Sequence, residues 1–155
     1  MVKIVECDLN NPEHRKAVID LMNHYMADTM GGKLPPHAPG KAEKMVEGLD
    51  QHPSKLVLLA EYKGEFAGLS TSFINYGTFS VKPFINIHDI VVLSKYRGEG
   101  IGRKLMEGII EKAKQFDCGK ITMEVREDNI EAQQLYKSFG FDESKPVMHF
   151  WTKHM

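Results

Sequence analysis

The sequence predicts a single α/β domain over residues 1–155, built on a central sheet with helices on both faces. Three observations predict it. Strand-like and helix-like stretches follow one another in the order β-α-α-β-β-β-α-β-α-β(-β). Leu56-Val57-Leu58-Leu59-Ala60 is a continuous apolar run, the mark of a strand buried on both faces. Ile85 to Val125 reads as strand, helix, strand, which calls for parallel strands joined by a right-handed crossover. A chain of 155 residues holds one ordinary domain with a core of its own.

Each element has a local reason. Lys3 to Cys7 alternates in character and reads as a first strand. Asn11 offers an N-cap, with Pro12 at the first helical position. Ala17, Val18, Leu21, Met22 and Tyr25 recur at spacings of three and four, so a helix runs to about Thr29, and Gly31-Gly32 stops it. Lys33 to Gly40 holds three prolines and a glycine and reads as a loop. A second helix, Lys41 to Gln51, carries Ala42, Met45, Val46 and Leu49 on one side. After the apolar run, Lys63-Gly64 marks a turn, and Glu65 to Asn75 completes a hairpin. The aromatic residues Tyr62, Phe66, Phe73 and Tyr76 read as core and hairpin packing.

Pro83 to Leu93 is a further strand, followed by the glycine-rich Arg97 to Gly102 and a helix to about Phe116. Ile101, Leu105, Ile109 and Ala113 step by four along that helix, and Phe116 closes the stripe. Gly108 interrupts it at a cost of about 1 kcal/mol relative to alanine, with no reason visible in the sequence. Lys120 to Val125 is a strand, Asn129 caps or opens a helix to Phe139, and Gly140 ends that helix. Pro146 to Lys153 reads as a last strand at a sheet edge.

Composition removes several classes. Twenty basic against 21 acidic residues leave a net charge of −1, which argues against nucleic acid as a partner. No apolar stretch reaches the roughly 18 residues of a membrane span. The start at Met1-Val2-Lys3 lacks a signal-peptide core. Cys7 and Cys118 are far apart, with no C-x-x-C, as expected of free thiols in a reducing, cytoplasmic compartment. Seven histidines show no H-E-x-x-H, so no metal site is expected. Gly68-Leu69-Ser70-Thr71-Ser72 lacks the second glycine of a hydrolase elbow.

The most informative segment is His88-Asp89-Ile90-Val91-Val92, followed by Arg97-Gly98-Glu99-Gly100-Ile101-Gly102-Arg103. A strand feeds a glycine turn that opens a helix. The first N–H groups of a helix lack intrahelical partners, and the macrodipole makes that end positive. Glycines let an anion approach the backbone, so the turn is suited to a phosphate or pyrophosphate. Arg97 and Arg103 add charge at its edges. Gly102 is followed by Arg103-Lys104-Leu105, so this is not a Walker A loop. The dinucleotide spacing G-x-G-x-x-G fails from both Gly98 and Gly100.

Arg97-Gly98-Glu99-Gly100-Ile101-Gly102 resembles the R/Q-x-x-G-x-G/A signature of the GNAT family of N-acetyltransferases. Asn129-Ile130-Glu131-Ala132-Gln133-Gln134-Leu135-Tyr136, running on to Gly140-Phe141, resembles that family's second motif, N-x-x-A-x-x-L-Y-x-x-x-G-F. The resemblance implies a mixed, mostly antiparallel sheet of six to seven strands, with splayed parallel strands forming an acetyl-CoA cleft. It implies acetyl-CoA as cosubstrate, with backbone groups of Ile90, Val91 and Val92 against the pantetheine arm. The N–H groups of Arg97, Gly98, Glu99, Gly100, Ile101, Gly102 and Arg103 would hold the phosphates, and Asn129 would touch the cofactor arm. The implied activity is direct acetyl transfer to a primary amine of a small molecule or peptide. A non-catalytic acetyl-CoA sensor of the same fold is the alternative, and a homodimer is left open.

Acetyl transfer needs a neutral amine, a polarised thioester carbonyl and a proton for the leaving thiolate. Asn129, Ala132 and Tyr136 stand at i, i+3 and i+7 on one helix face, and a phenol there is a candidate general acid. His88 and Asp89 are the candidates for a base. An imidazole can take a proton near neutral pH. Strand alternation predicts that these two side chains point to opposite faces. The acceptor is expected to be selected by the Gly31 to Gly40 loop, the two amino-terminal helices and the Tyr76 to Pro83 turn.

Overall fold

A computed structural model describes residues 1–155 as two compact units, Met1–Glu124 and Val125–Met155. The first holds strands β1 (Lys3–Glu6), β2 (Lys55–Tyr62), β3 (Glu65–Gly77), β4 (Lys82–Val92) and β5 (Ile121–Met123). Its helices are α1 (Pro12–Ala27), α2 (Pro39–Gln51) and α3 (Ile101–Gln115). The second unit holds α4 (Ile130–Ser138). The five strands lie in the order β1-β2-β3-β4-β5. Only β4 and β5, the pair joined through α3, are parallel.

The apolar run Leu56–Ala60 is buried on both faces of the sheet, as its pattern requires. On one face Val18 and Leu21 of α1 and Val46 of α2 pack over Val57, Leu59, Leu69 and Val91. On the other, Ile101, Leu105, Met106 and Ile109 of α3 are fully buried. Each such leucine contributes about 1.5–3 kcal/mol relative to an exposed one. Phe116, expected to close the α3 stripe, is instead 40% exposed just past the helix end. Gly108 has a packing reason that the sequence hid. A Cβ there would stand 3.1 Å from Ile4 and 3.2 Å from Leu58, so the residue lets α3 settle close against β1 and β2.

Local signals explain the boundaries. The Asn11 side chain accepts the Glu13 N–H at 2.9 Å and caps α1. Helix α2 begins at Pro39, inside the predicted loop, because proline is at home in the first helical turn, where its missing N–H is not needed. In the second unit the Asn129 Oδ1 accepts the Ala132 N–H at 3.2 Å and caps α4. The other end of α4 closes as a Schellman motif. Gly140, at φ +90°, donates to the Lys137 carbonyl, and Phe141 donates to the Tyr136 carbonyl. The Phe141 ring packs 6.3 Å from that of Tyr136.

Two expectations are corrected. The sheet has five strands rather than six to seven, and residues 146–153 form no strand. Val147, Met148, Phe150 and Trp151 are 63–85% exposed. Their unit, residues 125–155, contains no strand for them to pair with, and an isolated strand leaves its backbone groups unsatisfied. Strand β5 is also shorter than Lys120 to Val125, ending at Met123.

Candidate active site

Strand β4 and the segment that follows it carry three site features in succession. The first is a β-bulge. Asp89 pairs with Thr71 and Ile87 with Ser72, so His88 is the extra residue. This corrects the expectation that His88 and Asp89 point apart. The additional residue breaks the alternation of the pleat, and both side chains line one cavity on the face covered by α1 and α2. The Asp89 carboxylate accepts a hydrogen bond from the Thr71 hydroxyl, and its Oδ2 lies 3.7 Å from His88 Nδ1. Asp89 is largely enclosed, at 19% exposure, whereas His88 is 65% exposed.

The cavity measures about 260 Å³ and is walled by α1, α2, β3 and β4. Phe73 stands in its wall between two imidazoles, with His52 at 4.6 Å and His88 at 5.7 Å between ring centroids. Phe73 therefore shapes a site, beyond the hairpin packing assigned to it from sequence. Sequence reasoning also passed over His52 and Gly48, which line the same space. Helical spacing joins these two at i and i+4, but nothing in the sequence joins them to β3 and β4, because the wall comes from four separate elements.

The second feature is the stretch Ile90–Val92. It pairs with Gly68–Ser70 of β3 on one side. The β4–β5 ladder covers only Ile85–Ile87 against Ile121–Met123, so β5 leaves β4 just before the bulge. The backbone of Ile90, Val91 and Val92 thus has a sheet neighbour on one edge only.

The third feature is the glycine turn. Gly98 and Gly100 adopt φ of +83° and +78°, left-handed conformations that glycine reaches without strain. Gly100 forms the N-terminal boundary of α3, and no side chain caps that end. The first intrahelical bond runs from Lys104 N–H to the Gly100 carbonyl at 3.1 Å. The N–H groups of Ile101, Gly102 and Arg103 therefore precede the helical ladder and point out of the helix end. A Cβ at Gly98 or Gly100 would meet nothing within 4 Å, so the mouth of the turn is open. These residues fit a phosphate group.

Side chains hold the turn in place. Tyr62 Oη donates to Glu99 at 3.0 Å, and Ser94 N–H donates to His24 Nε2 at 3.1 Å. Arg97 is paired with Asp28 at 2.8 Å, so it ties the end of α1 to the turn. The Asp28 carboxyl is held below its ordinary range, first by the Met30 N–H and then by Arg97. Among the second-unit candidates, Asn129, Ala132 and Tyr136 are all half-buried along α4, and the cap accounts for one hydrogen bond of Asn129.

The sequence profile of the acetyltransferase (GNAT) family matches residues 18–141. An N-alpha-acetyltransferase of Sulfurisphaera tokodaii is 31% identical over 114 residues, covering 69% of this chain and 68% of its own. A spermine/spermidine N(1)-acetyltransferase of Bacillus subtilis is 32% identical over 87 residues, 52% of this chain and 55% of its own. The crystal structure of an aminoglycoside acetyltransferase from an uncultured soil metagenomic sample superposes with a TM-score of 0.80 at 20% identity, covering 99% of this chain and 97% of that one, a likeness of fold. With a family match running from α1 through α4 and N-acetyltransferases among its relatives, this chain belongs to the GNAT family of acetyltransferases.

Proposed function

We propose that the protein transfers an acetyl group from acetyl-CoA directly to the primary amine of a small molecule or peptide. One observation carries this reading. A single strand, β4, links a cavity holding His88 and Asp89 to an uncapped, glycine-lined helix start that fits a phosphate. The two halves of a bisubstrate site are thereby strung along one element, with the one-sided backbone of Ile90–Val92 between them.

Acetyl-CoA would supply the acetyl thioester, with its phosphates at the N–H groups of Gly98 and of Gly100 to Arg103 and its arm along Ile90 to Val92; the Arg97 and Glu99 N–H groups, expected to join them, donate instead to the Ser94 and Tyr96 carbonyls. In the cavity Asp89 attracts the cationic amine, and His88 takes the proton that makes it nucleophilic. The amine nitrogen bonds to the carbonyl carbon as the carbon–sulfur bond breaks, and the proton it sheds on becoming an amide restores the phenol of Tyr136 once that residue has protonated the thiolate. A backbone N–H near Val91 or Val92 polarises the carbonyl oxygen. Tyr136 donates its phenolic proton to the departing thiolate, and Asn129 and Ala132 present the face of α4 that contacts the cofactor arm. The names of two relatives, an N-alpha-acetyltransferase and a spermine/spermidine N(1)-acetyltransferase, both put the acetyl group on nitrogen, which supports an amine as the acceptor chemistry.

The test is release of free coenzyme A thiol from acetyl-CoA across an amine panel, with mass spectrometry of the product. Amine-dependent thiol release with acetylated product is expected. In parallel, acetyl-CoA at about 100 times its dissociation constant should add roughly 2.7 kcal/mol of stability. A thermal shift without amine-dependent release would favour the non-catalytic sensor. No shift with acetyl-CoA would remove the cofactor assignment.

A further inference from the structure

The wall of the β4 cavity is mostly apolar. Val18 and Met22 of α1, Met45 and Leu49 of α2, and Phe73 of β3 form its sides. Its polar groups are the Thr71 hydroxyl, the His52 and His88 imidazoles and the Asp89 carboxylate, and neither lysine nor arginine lines it. Helix α2 turns Gly48 toward this space, and a Cβ at Gly48 would meet nothing within 4 Å. A glycine inside a helix costs about 1 kcal/mol relative to alanine, and packing does not require it here. It stands in contrast to Gly108, where a Cβ would crowd Ile4 and Leu58.

From this we infer that the acceptor is a monoamine with an apolar, arylalkyl-type body, and that Gly48, exposed at the rim, keeps the mouth of the cavity wide enough for it. The inference rests on the acetyl-transfer reading above and names its substrate class. An apolar cavity of about 150 Å³ takes up benzene, so about 260 Å³ accommodates an aromatic ring with a short linker. The volume is below the roughly 300–1,000 Å³ of sites for drug-sized ligands, which disfavours a bulky polycyclic or oligosaccharide amine. The ammonium group pairs with Asp89, the only formally anionic wall residue. A free amino acid would bring a carboxylate to a wall without lysine or arginine. A polyamine would bring a second ammonium into an apolar space, where an unpaired charge is strongly disfavoured. Methionine walls adapt their shape, so the ring is selected by size and apolarity rather than by a fixed outline.

The experiment measures kcat/KM for phenethylamine, ethylamine, putrescine and phenylalanine with the native chain, Gly48→Ala and Gly48→Leu. Thermal-shift binding of phenethylamine is recorded alongside, without acetyl-CoA. Phenethylamine is expected to exceed each of the others by about 10-fold or more, the scale on which apolar pockets discriminate. Gly48→Leu should cut the phenethylamine-to-ethylamine ratio by about 10-fold or more, with Gly48→Ala between it and the native chain. Both variants place their Cβ in open space and improve helix propensity, so a folded protein is expected. The phenethylamine thermal shift should shrink in the same order. Turnover of ethylamine, putrescine or phenylalanine at or above the phenethylamine rate would overturn the substrate class while leaving acetyl transfer in place. A ratio and a thermal shift unchanged by Gly48→Leu would overturn the role of Gly48. No turnover of any amine, with acetyl-CoA bound, would overturn acetyl transfer itself and the substrate class with it.

Discussion

The bulge within β4 and the glycine turn that follows β4 are built from different materials. At the glycine turn the binding groups are backbone N–H donors, and side chains only hold the loop from outside, through Tyr62–Glu99 and Arg97–Asp28. At the bulge the backbone contributes an irregularity, and the chemistry belongs to side chains from four elements. A backbone site recognises a charge that does not vary, such as a phosphate, and needs only local conformation. A side-chain site can be changed one residue at a time without disturbing the fold. On the proposed function, the contrast would assign the cosubstrate to the turn and the acceptor to the bulge.

The largest effect that would break this contrast is expected from Gly100→Val. The position requires φ of +78°, where a β-branched residue is strained by about 1–2 kcal/mol. The side chain also projects into the mouth of the turn. Coenzyme A affinity by calorimetry should fall by about 100-fold or more, the loss of roughly two charge-assisted hydrogen bonds. The melting temperature should fall by only about 2–8 °C. Unchanged affinity in a folded variant would show that the turn does not hold the cofactor.

Tyr136→Phe should come next. The variant keeps the ring contact with Phe141 and the Schellman closure of α4, so cofactor affinity should change far less than turnover. Single-turnover kinetics should show kcat and kcat/KM falling together by about 100-fold. A variant keeping more than about half the native rate, far outside that catalytic range, would leave Tyr136 as a packing residue of the helix end.

At the bulge, His88→Gln and Asp89→Asn should separate. The first should lower kcat by about 10- to 100-fold, toward the low end of general-base contributions. The second preserves the shape that accepts the Thr71 hydroxyl and should mainly raise KM for the amine by about 10-fold, as expected when ground-state and transition-state binding are lost together. Steady-state kinetics with varied amine decide it, and the reverse pattern would exchange the two roles.

The smallest effect is a control away from both regions. The Cys7 thiol is pushed up to about 12, chiefly by burial and then by Asp8 and Asp50. In the unfolded chain it loses its proton near the ordinary value of 9.0. Above that pH the unfolded state binds fewer protons than the folded one, so stability should fall as pH rises from about 9 toward 12 and be indifferent to Cys7 below. Denaturant midpoints measured across that window should decline less steeply in Cys7→Ala. An equally steep decline would mean that the thiol is as readily ionised folded as unfolded.

The sequence by itself determined what is local. Periodicity and caps placed α1, α2, α3 and α4 to within a few residues, since Asn11, Asn129 and Gly140 act on their own helix ends. The glycine turn was legible for the same reason, because a backbone site is encoded by the residues that form it. Tertiary structure decided the rest. The bulge that turns His88 and Asp89 together depends on register against β3, which alternation along β4 does not reveal. The cavity, with Phe73, His52 and Gly48 in its wall, exists only where α1 and α2 cross the sheet. The edge strand expected over Pro146–Lys153 failed for the converse reason, since a segment becomes a strand only by pairing with another strand.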